Sequence, residues 1–313
     1  MTDGAKCGII GKKGGEDTEK TTYFVGESEG GLTVREFLLR RGFSSSLIRR
    51  VKSGGITRGE TPVRTIDRLC VGDALTVTLP RGQSGNIPPI PLPLDILCED
   101  EEILVVKKPP QMPTHPSRGN HLPTLANAVA AYFAPRPFVF HAITRLDRDT
   151  EGLVLLAKDA LSALRLSEAM ARGEIRKRYL AVTSRPPSPA EGVIDAPIAR
   201  ESEGALRRVV RDGGKPARTV YRTLGQNEEG CALVELTPLT GRTHQLRVHM
   251  ASVGAPLDAD FLYGTAREGA HYRLAAVGIG FPHPRTGEHL SFSYLPRFAA
   301  EEFPDFPSDS RDR

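Results

Sequence analysis

The sequence has few cysteines, and none is placed for chemistry. The four are Cys7, Cys70, Cys98 and Cys231. No two form a C-x-x-C pair, and no histidine spacing around them suggests zinc. They read as reduced, mostly buried thiols, and no metal site is expected. There is no Walker-type phosphate loop and no G-x-G-x-x-G fingerprint, so the expected reaction needs no cofactor. No stretch approaches the roughly 18 uncharged apolar residues of a membrane helix. The opening MTDGAKCGIIGKKGGEDTEK has no apolar run that could serve as a secretory signal. A cytoplasmic protein with no membrane partner is the expectation. No interface signal is visible, and a monomer is expected.

What the chain does have is room for a core and an uneven spread of arginine. Its 313 residues are 39% apolar and 26% charged, enough for about two domains. Net charge is +4, too mild by itself to name a partner. Its placement says more. Arginines cluster at Arg49–Arg50, between Arg172 and Arg178, and between Arg207 and Arg211. The planar guanidinium fork suits phosphate, so these clusters fit an RNA backbone. Any one of them alone reads equally well as a solvated surface.

Composition divides the chain into segments. Residues 1–20 are rich in Gly, Lys and Glu and are expected to be disordered. Residues 21–80 read as a small α+β module for binding RNA. Thr33 can cap a helix through Val34, Phe37 and Leu38 that stops at Gly42. Ser44 to Ser46 can cap a second, with Leu47, Ile48 and Val51 on one face and Arg49, Arg50 and Lys52 on the other. A basic helix followed by Gly54–Gly55 can reach phosphates with side chains and amides. Residues 81–94, RGQSGNIPPIPLPL, read as an extended linker that lets two domains move independently. Residues 95–303 form the large domain, and residues 304–313 a frayed tail. In the large domain many strand patterns alternate with few helices. That predicts an α+β fold with a mixed, mostly antiparallel sheet rather than a doubly wound one.

Three stretches there carry chemistry. HAITRLDRDTEGLVLLAKD, residues 141–159, sets Arg145, Asp147, Arg148, Asp149 and Thr150 before a buried apolar strand, where rigid backbone can aim a catalytic group. A salt-bridged turn is the plainer reading of that spacing. Lys177-Arg178-Tyr179-Leu180 starts a strand after a basic loop, and Tyr179 there can stack on an unstacked base or simply fill a core. LTGRTHQLRVHMASVGAPL, residues 239–257, holds Arg242, Thr243, His244 and Gln245 before an alternation. That alternation predicts a strand with Arg247 and His249 on one face. Such a face needs an acidic partner. Asp147 is the natural one, and the pair would keep it ionised.

Taken together, these stretches resemble the RluA family of RNA pseudouridine synthases. The family's catalytic H-R-L-D-x-x-T-S-G motif is matched by residues 144–152, its K-x-Y-L-A by Lys177 to Ala181, and its T-G-R-x-H-Q-I-R-V-H by Thr240 to His249. GKPARTVY at 214–221 and HPRTGE at 283–288 match as well. The small module resembles an RNA-binding domain of one ribosomal small-subunit protein. The resemblance implies isomerisation of uridine in structured RNA, ribosomal RNA of the large subunit first, by base flipping, without metal or cofactor. It implies that Asp147 is the essential carboxylate, that Arg247 pairs with it, and that Tyr179 stacks on the flipped uracil. Arg145 fills the space the base leaves. Arg242, His244 and Gln245 lie on the RNA side. The sequence departs from the family at Thr144, Glu151, Ala259 and Ala275–Ala276, and Thr144 and Glu151 are expected to alter which RNA loop is accepted. Two other readings stay open. One is an RNA chaperone or ribosome-assembly factor of the same fold without turnover. The other is a nucleoside hydrolase, which would need a second acid opposite Asp147.

Overall fold

The computed structural model describes residues 18–43, 45–80, 87–116, 123–135 and 139–304. Ser44 and the expectations for residues 1–17, 81–86 and 305–313 lie outside these. No helix among the described residues is long and apolar enough to cross a membrane.

The N-terminal module contains β1 (Thr18–Phe24), α1 (Val34–Arg40), α2 (Ser45–Val51), β2 (Ile56–Arg58), β3 (Thr61–Pro62) and β4 (Ala74–Pro80). Its sheet runs β1-β4-β2-β3, antiparallel throughout. Thr33 caps α1 in a box with Glu36, which satisfies the first free amides of the helix. The first strand begins earlier than the Gly/Lys/Glu composition suggests. Thr18, Glu19 and Lys20 pair with Pro80, Leu79 and Thr78, because the ladder on β4 and the buried Tyr23 further along the strand order a start that composition marks as polar. Phe37, Leu38, Ile48, Val51 and Val77 form the module's core, and Leu164 joins the same cluster.

Leu164 belongs to the large domain. There the order is β5 (Asp95–Glu99), β6 (Ile103–Lys108), α3 (Leu125–Phe133), β7 (His141–Ala142), β8 (Glu151–Ala157), α4 (Ala160–Ala171) and β9 (Arg176–Thr183). β10 (Glu191–Asp195), β11 (Ile198–Arg200), β12 (Arg208–Val210), β13 (Arg218–Gln226) and β14 (Ala232–Pro238) follow, then α5 (Gln245–Ser252), β15 (Leu274–Pro282), β16 (His289–Ser293) and α6 (Arg297–Glu302). The main sheet runs β10-β13-β14-β9-β15-β8-β6-β5, with β16 on β15 and β7 on β8. Among the described residues only the β15–β8 pair is parallel, and it is two residues long, Ala275↔Glu151 and Ala276↔Gly152. Gly152 makes that junction possible. Its φ is +116°, and a Cβ there would sit 2.4 Å from the Ala276 carbonyl oxygen.

Helices cover both faces. On one, α3 and α5 enclose Leu125, Val129, Val154, Leu246 and Met250. On the other, Leu166 and Ala169 of α4 pack on Leu153, Leu155 and Phe281. The proline-rich segment is not a free spacer. The amide of Ile90 donates to the Asn127 carbonyl at 3.2 Å, Asn127 donates to Pro88, and Ile87 and Leu94 pack on the core. With Leu164 sealed into the module, independent motion of the two domains is not what the packing supports.

The stretch Leu246–His249 is a helix, not the expected strand. Every residue from Gln245 to Met250 is buried. A helix buried all round has no polar face, so its 3.6-residue period is invisible and the chance alternation of Leu246, Val248 and Met250 imitates a strand.

Candidate active site

Asp147 sits in the turn between β7 and β8, and the backbone on both sides of it is held. Before it, the Thr114 hydroxyl donates to the Leu146 carbonyl at 2.9 Å and accepts the Leu146 amide at 3.1 Å. After it, Lys108 Nζ donates to the Arg148 carbonyl at 3.1 Å and to the carbonyls of Pro109 and Met112 at 2.7 Å. Lys108 is wholly buried, and burial pulls its pKa down to about 7 against the raising charges of Asp149, Asp147 and Glu151. Asp149 is taken by a bidentate contact from Arg148. It is therefore not a second acid across a cleft. The Asp147 side chain itself remains 30% exposed: a fixed carboxylate with an open side.

Arg247 approaches Asp147 from α5, Nη1 to Oδ2 at 3.7 Å. That is the looser of its two acidic contacts. Its main partner is Asp260, which accepts from Nε and Nη2 at 2.7 Å each. Asp260 is fully buried and also accepts the amides of Leu262 and Tyr263. The Asp147–Arg247 pair read from the sequence is thus part of a chain of three charges. Burial opposes the charge on Arg247, but the Asp260 hydrogen bonds, Tyr272, and the Asp260 and Asp147 charges outweigh it and hold the guanidinium firmly protonated. Its plane lies against Tyr272, Tyr263 and Phe261, with ring centroids at 4.3, 5.0 and 5.5 Å. The arrangement keeps one fork on Asp260 and turns the remaining nitrogen to Asp147.

Tyr179, on β9, is part of the same core cluster. Burial first, and the Asp147 charge second, push its phenol well above the ordinary range. Tyr272 is shifted the same way by the same two causes and faces the Thr150 hydroxyl at 3.4 Å. Both stay protonated at neutral pH, flat apolar walls beside a carboxylate.

The structure thus brings Asp147, Tyr179 and Arg247 together. Arg145, two residues before Asp147, is exposed. Arg242 is exposed, with Nε donating to the Pro216 carbonyl, and His244 is half-buried with Nδ1 2.8 Å from the Tyr263 hydroxyl. Gln245 does not fit an RNA-facing role. It is buried, and its amide is used inside the fold by Thr240, Arg242, Arg218 and Thr219. His249 does not share a face with Arg247, since two residues along a helix turn through about 200°. It binds the Thr219 hydroxyl and the Ala196 carbonyl instead. Thr144 is buried, its hydroxyl accepting the Leu155 amide. Glu151 is half-buried, and burial raises its pKa against the lowering charges of Lys107 and Lys108. The Thr144 hydroxyl is used inside the fold and does not face an RNA loop. Arg49 and Arg50 are exposed on α2 and Lys52 just past its end, and the charge of Arg50 reaches His141.

One group of metal-type donors occurs among the described residues, Asp100, Glu102 and His283, beyond the far end of β6. His283 Nδ1 accepts the amides of Arg285 and Thr286, so its proton is on Nε2 and points to Asp100 at 3.0 Å. That nitrogen has no lone pair for an ion.

A held carboxylate on a mostly antiparallel sheet, walled by protonated tyrosines and backed by a buried arginine, is the arrangement that the resemblance to RNA pseudouridine synthases calls for. The comparisons agree. Residues 102–252 match the RNA pseudouridylate synthase family. An uncharacterised RNA pseudouridine synthase of Bacillus subtilis is 36% identical over 83% of this chain and 94% of its own. The ribosomal large subunit pseudouridine synthase D of Zymomonas mobilis is 36% identical over 70% of this chain and 74% of its own. The solved human RNA pseudouridylate synthase domain-containing protein 1 superposes with a TM-score of 0.57 at 25% identity, over 66% of this chain and 85% of that one. The chain belongs to the RluA family of RNA pseudouridine synthases, and its activity is the isomerisation of uridine to pseudouridine in RNA.

Proposed function

We propose that the substrate is ribosomal RNA of the large subunit, modified in the cytoplasm by the monomer, and that Asp147 is the catalytic carboxylate. The observation that carries this is Asp147 itself: pinned on both flanks, open on one side and 3.7 Å from a buried arginine. A duplex uridine cannot reach such a pocket, so the nucleotide is flipped out at a cost of a few kcal/mol, with Arg145 taking the vacated space. Asp147 acts at the ribose end of the glycosidic bond. The N1–C1′ bond breaks, the base turns without leaving, and C5–C1′ forms. C5 loses a proton and N1 gains one, so substrate and product are isomers. Tyr179 is the surface on which uracil stacks and turns. Its protonated phenol suits that role better than a strong base.

Residues 21–80 act as the RNA-binding module, with Arg49, Arg50 and Lys52 toward the backbone, while Arg242 and His244 line the RNA side of the catalytic domain. Relatives named as large-subunit enzymes support the ribosomal substrate. The test is to incubate the protein with unmodified large-subunit ribosomal and transfer RNA transcripts and map pseudouridine in each. Modification at discrete ribosomal positions is expected. Pseudouridine in the transfer RNA alone overturns the choice of substrate.

A further inference from the structure

His244 stands where regular structure does not need it. It precedes α5 with φ +57° and makes no side-chain cap, a left-handed conformation that a residue other than glycine adopts at a cost. Its ring instead meets Tyr263. The Tyr263 hydroxyl oxygen lies 2.9 Å from the Arg208 amide and 2.8 Å from His244 Nδ1. The amide can only donate, so it takes a lone pair of the phenol oxygen; Nδ1 is the one acceptor that the hydroxyl meets among the described residues, and the phenol proton is directed to it. Nδ1 accepts, and the imidazole proton sits on Nε2. Burial, with Arg247 and Arg208 nearby, keeps the ring neutral against the pull of Asp147.

We propose that His244 binds the substrate through this fixed, uncharged Nε2–H, which donates to a sugar–phosphate oxygen of the target nucleotide, and that Tyr263 is the positioning residue that sets the tautomer. This rests on the RNA reading above. The ring is only half-buried and lies in the fields of both Asp147 and Arg208, between the catalytic carboxylate and the basic β11–β12 hairpin. The same hydroxyl ties the hairpin to the site, since Arg208 begins β12 and the Arg247 guanidinium lies 5.0 Å from the Tyr263 ring. A neutral donor reads the position of an oxygen without adding the salt-sensitive attraction that the surrounding arginines already supply.

Two substitutions separate binding from structure. Asn tolerates the left-handed conformation and can accept from Tyr263, but is too short to place a donor where Nε2 was. Gln reaches that place. His244→Asn is expected to raise KM roughly tenfold, the worth of one hydrogen bond to a charged oxygen, with kcat little changed. His244→Gln is expected to recover most of it. A merely structural role gives the reverse order, and that order overturns the proposal. The assay is tritium release from a large-subunit ribosomal transcript labelled at uridine C5. Alongside it, ¹⁵N spectra of histidine-labelled free protein should show the Nε2–H tautomer of His244 in the wild type and a mixture in Tyr263→Phe. An Nδ1–H tautomer in the wild type, or a wild-type KM that follows imidazole titration, also overturns it. A wild type that releases no tritium from this transcript contradicts the ribosomal substrate, and the tautomer signal of the free protein still decides this inference.

Discussion

Replacing Asp260 with Asn should cost more stability than any other single-atom change at the site. The substitution keeps shape and volume. Oδ1 still accepts the amides of Leu262 and Tyr263, but the new NH2 takes the place of Oδ2 and faces Arg247 Nε at 2.7 Å, donor against donor. Arg247 is 3% exposed, so its charge has no water to turn to. Removing one partner of a buried pair costs about 3–5 kcal/mol. Asp147 at 3.7 Å is the remaining carboxylate on Arg247, and the guanidinium should turn to it and occupy the pocket, so turnover falls as well. Urea unfolding followed by circular dichroism measures the first effect, and single-turnover pseudouridine formation the second. The companion variant is Asp147→Asn, whose side chain is 30% exposed and whose loss should cost under about 1 kcal/mol. An Asp260→Asn protein within 1 kcal/mol of wild type would refute the view that Asp260 anchors the arginine.

Other predictions concern backbone and protonation. Gly152→Ala puts a Cβ into the Ala276 backbone at φ +116°, so it should destabilise by more than about 3 kcal/mol; a thermal melt like that of wild type would contradict the close approach. Ala259 has φ +57°, and Ala259→Gly should gain about 0.5–1 kcal/mol after the entropy of glycine is subtracted; a loss of more than 1 kcal/mol would show the methyl packing to matter more. Burial lowers the imidazole pKa of His141, His244 and His249. Their unfolded forms therefore take up protons first as pH falls below about 6.5, and stability should drop from pH 7.5 to 5.5. A midpoint that rises over that interval contradicts the neutral histidines.

The helices of the module and the Asp147 turn were legible in the sequence, because caps, glycines and apolar runs are local signals. Leu246–His249 was not, since complete burial erases helical periodicity. The family match exposed Asp147, Tyr179 and Arg247, whereas Lys108, Thr114 and Asp260 were missed as site residues. Each acts through tertiary contacts with residues 13 to 40 positions away, and no spacing rule reports those. Composition suggested a linker at residues 81–94 but did not reveal that Ile87 and Leu94 dock on the core. Ala259 was visible as a missing glycine, and its positive φ gives that departure a physical meaning.

The most direct test of Asp147 as the catalytic group is tritium release from C5-labelled large-subunit ribosomal RNA by wild-type and Asp147→Asn proteins, with RNA affinity measured in parallel. Release by wild type alone, at nearly equal affinity, is the expected result. Release by Asp147→Asn at a rate near that of wild type would contradict it.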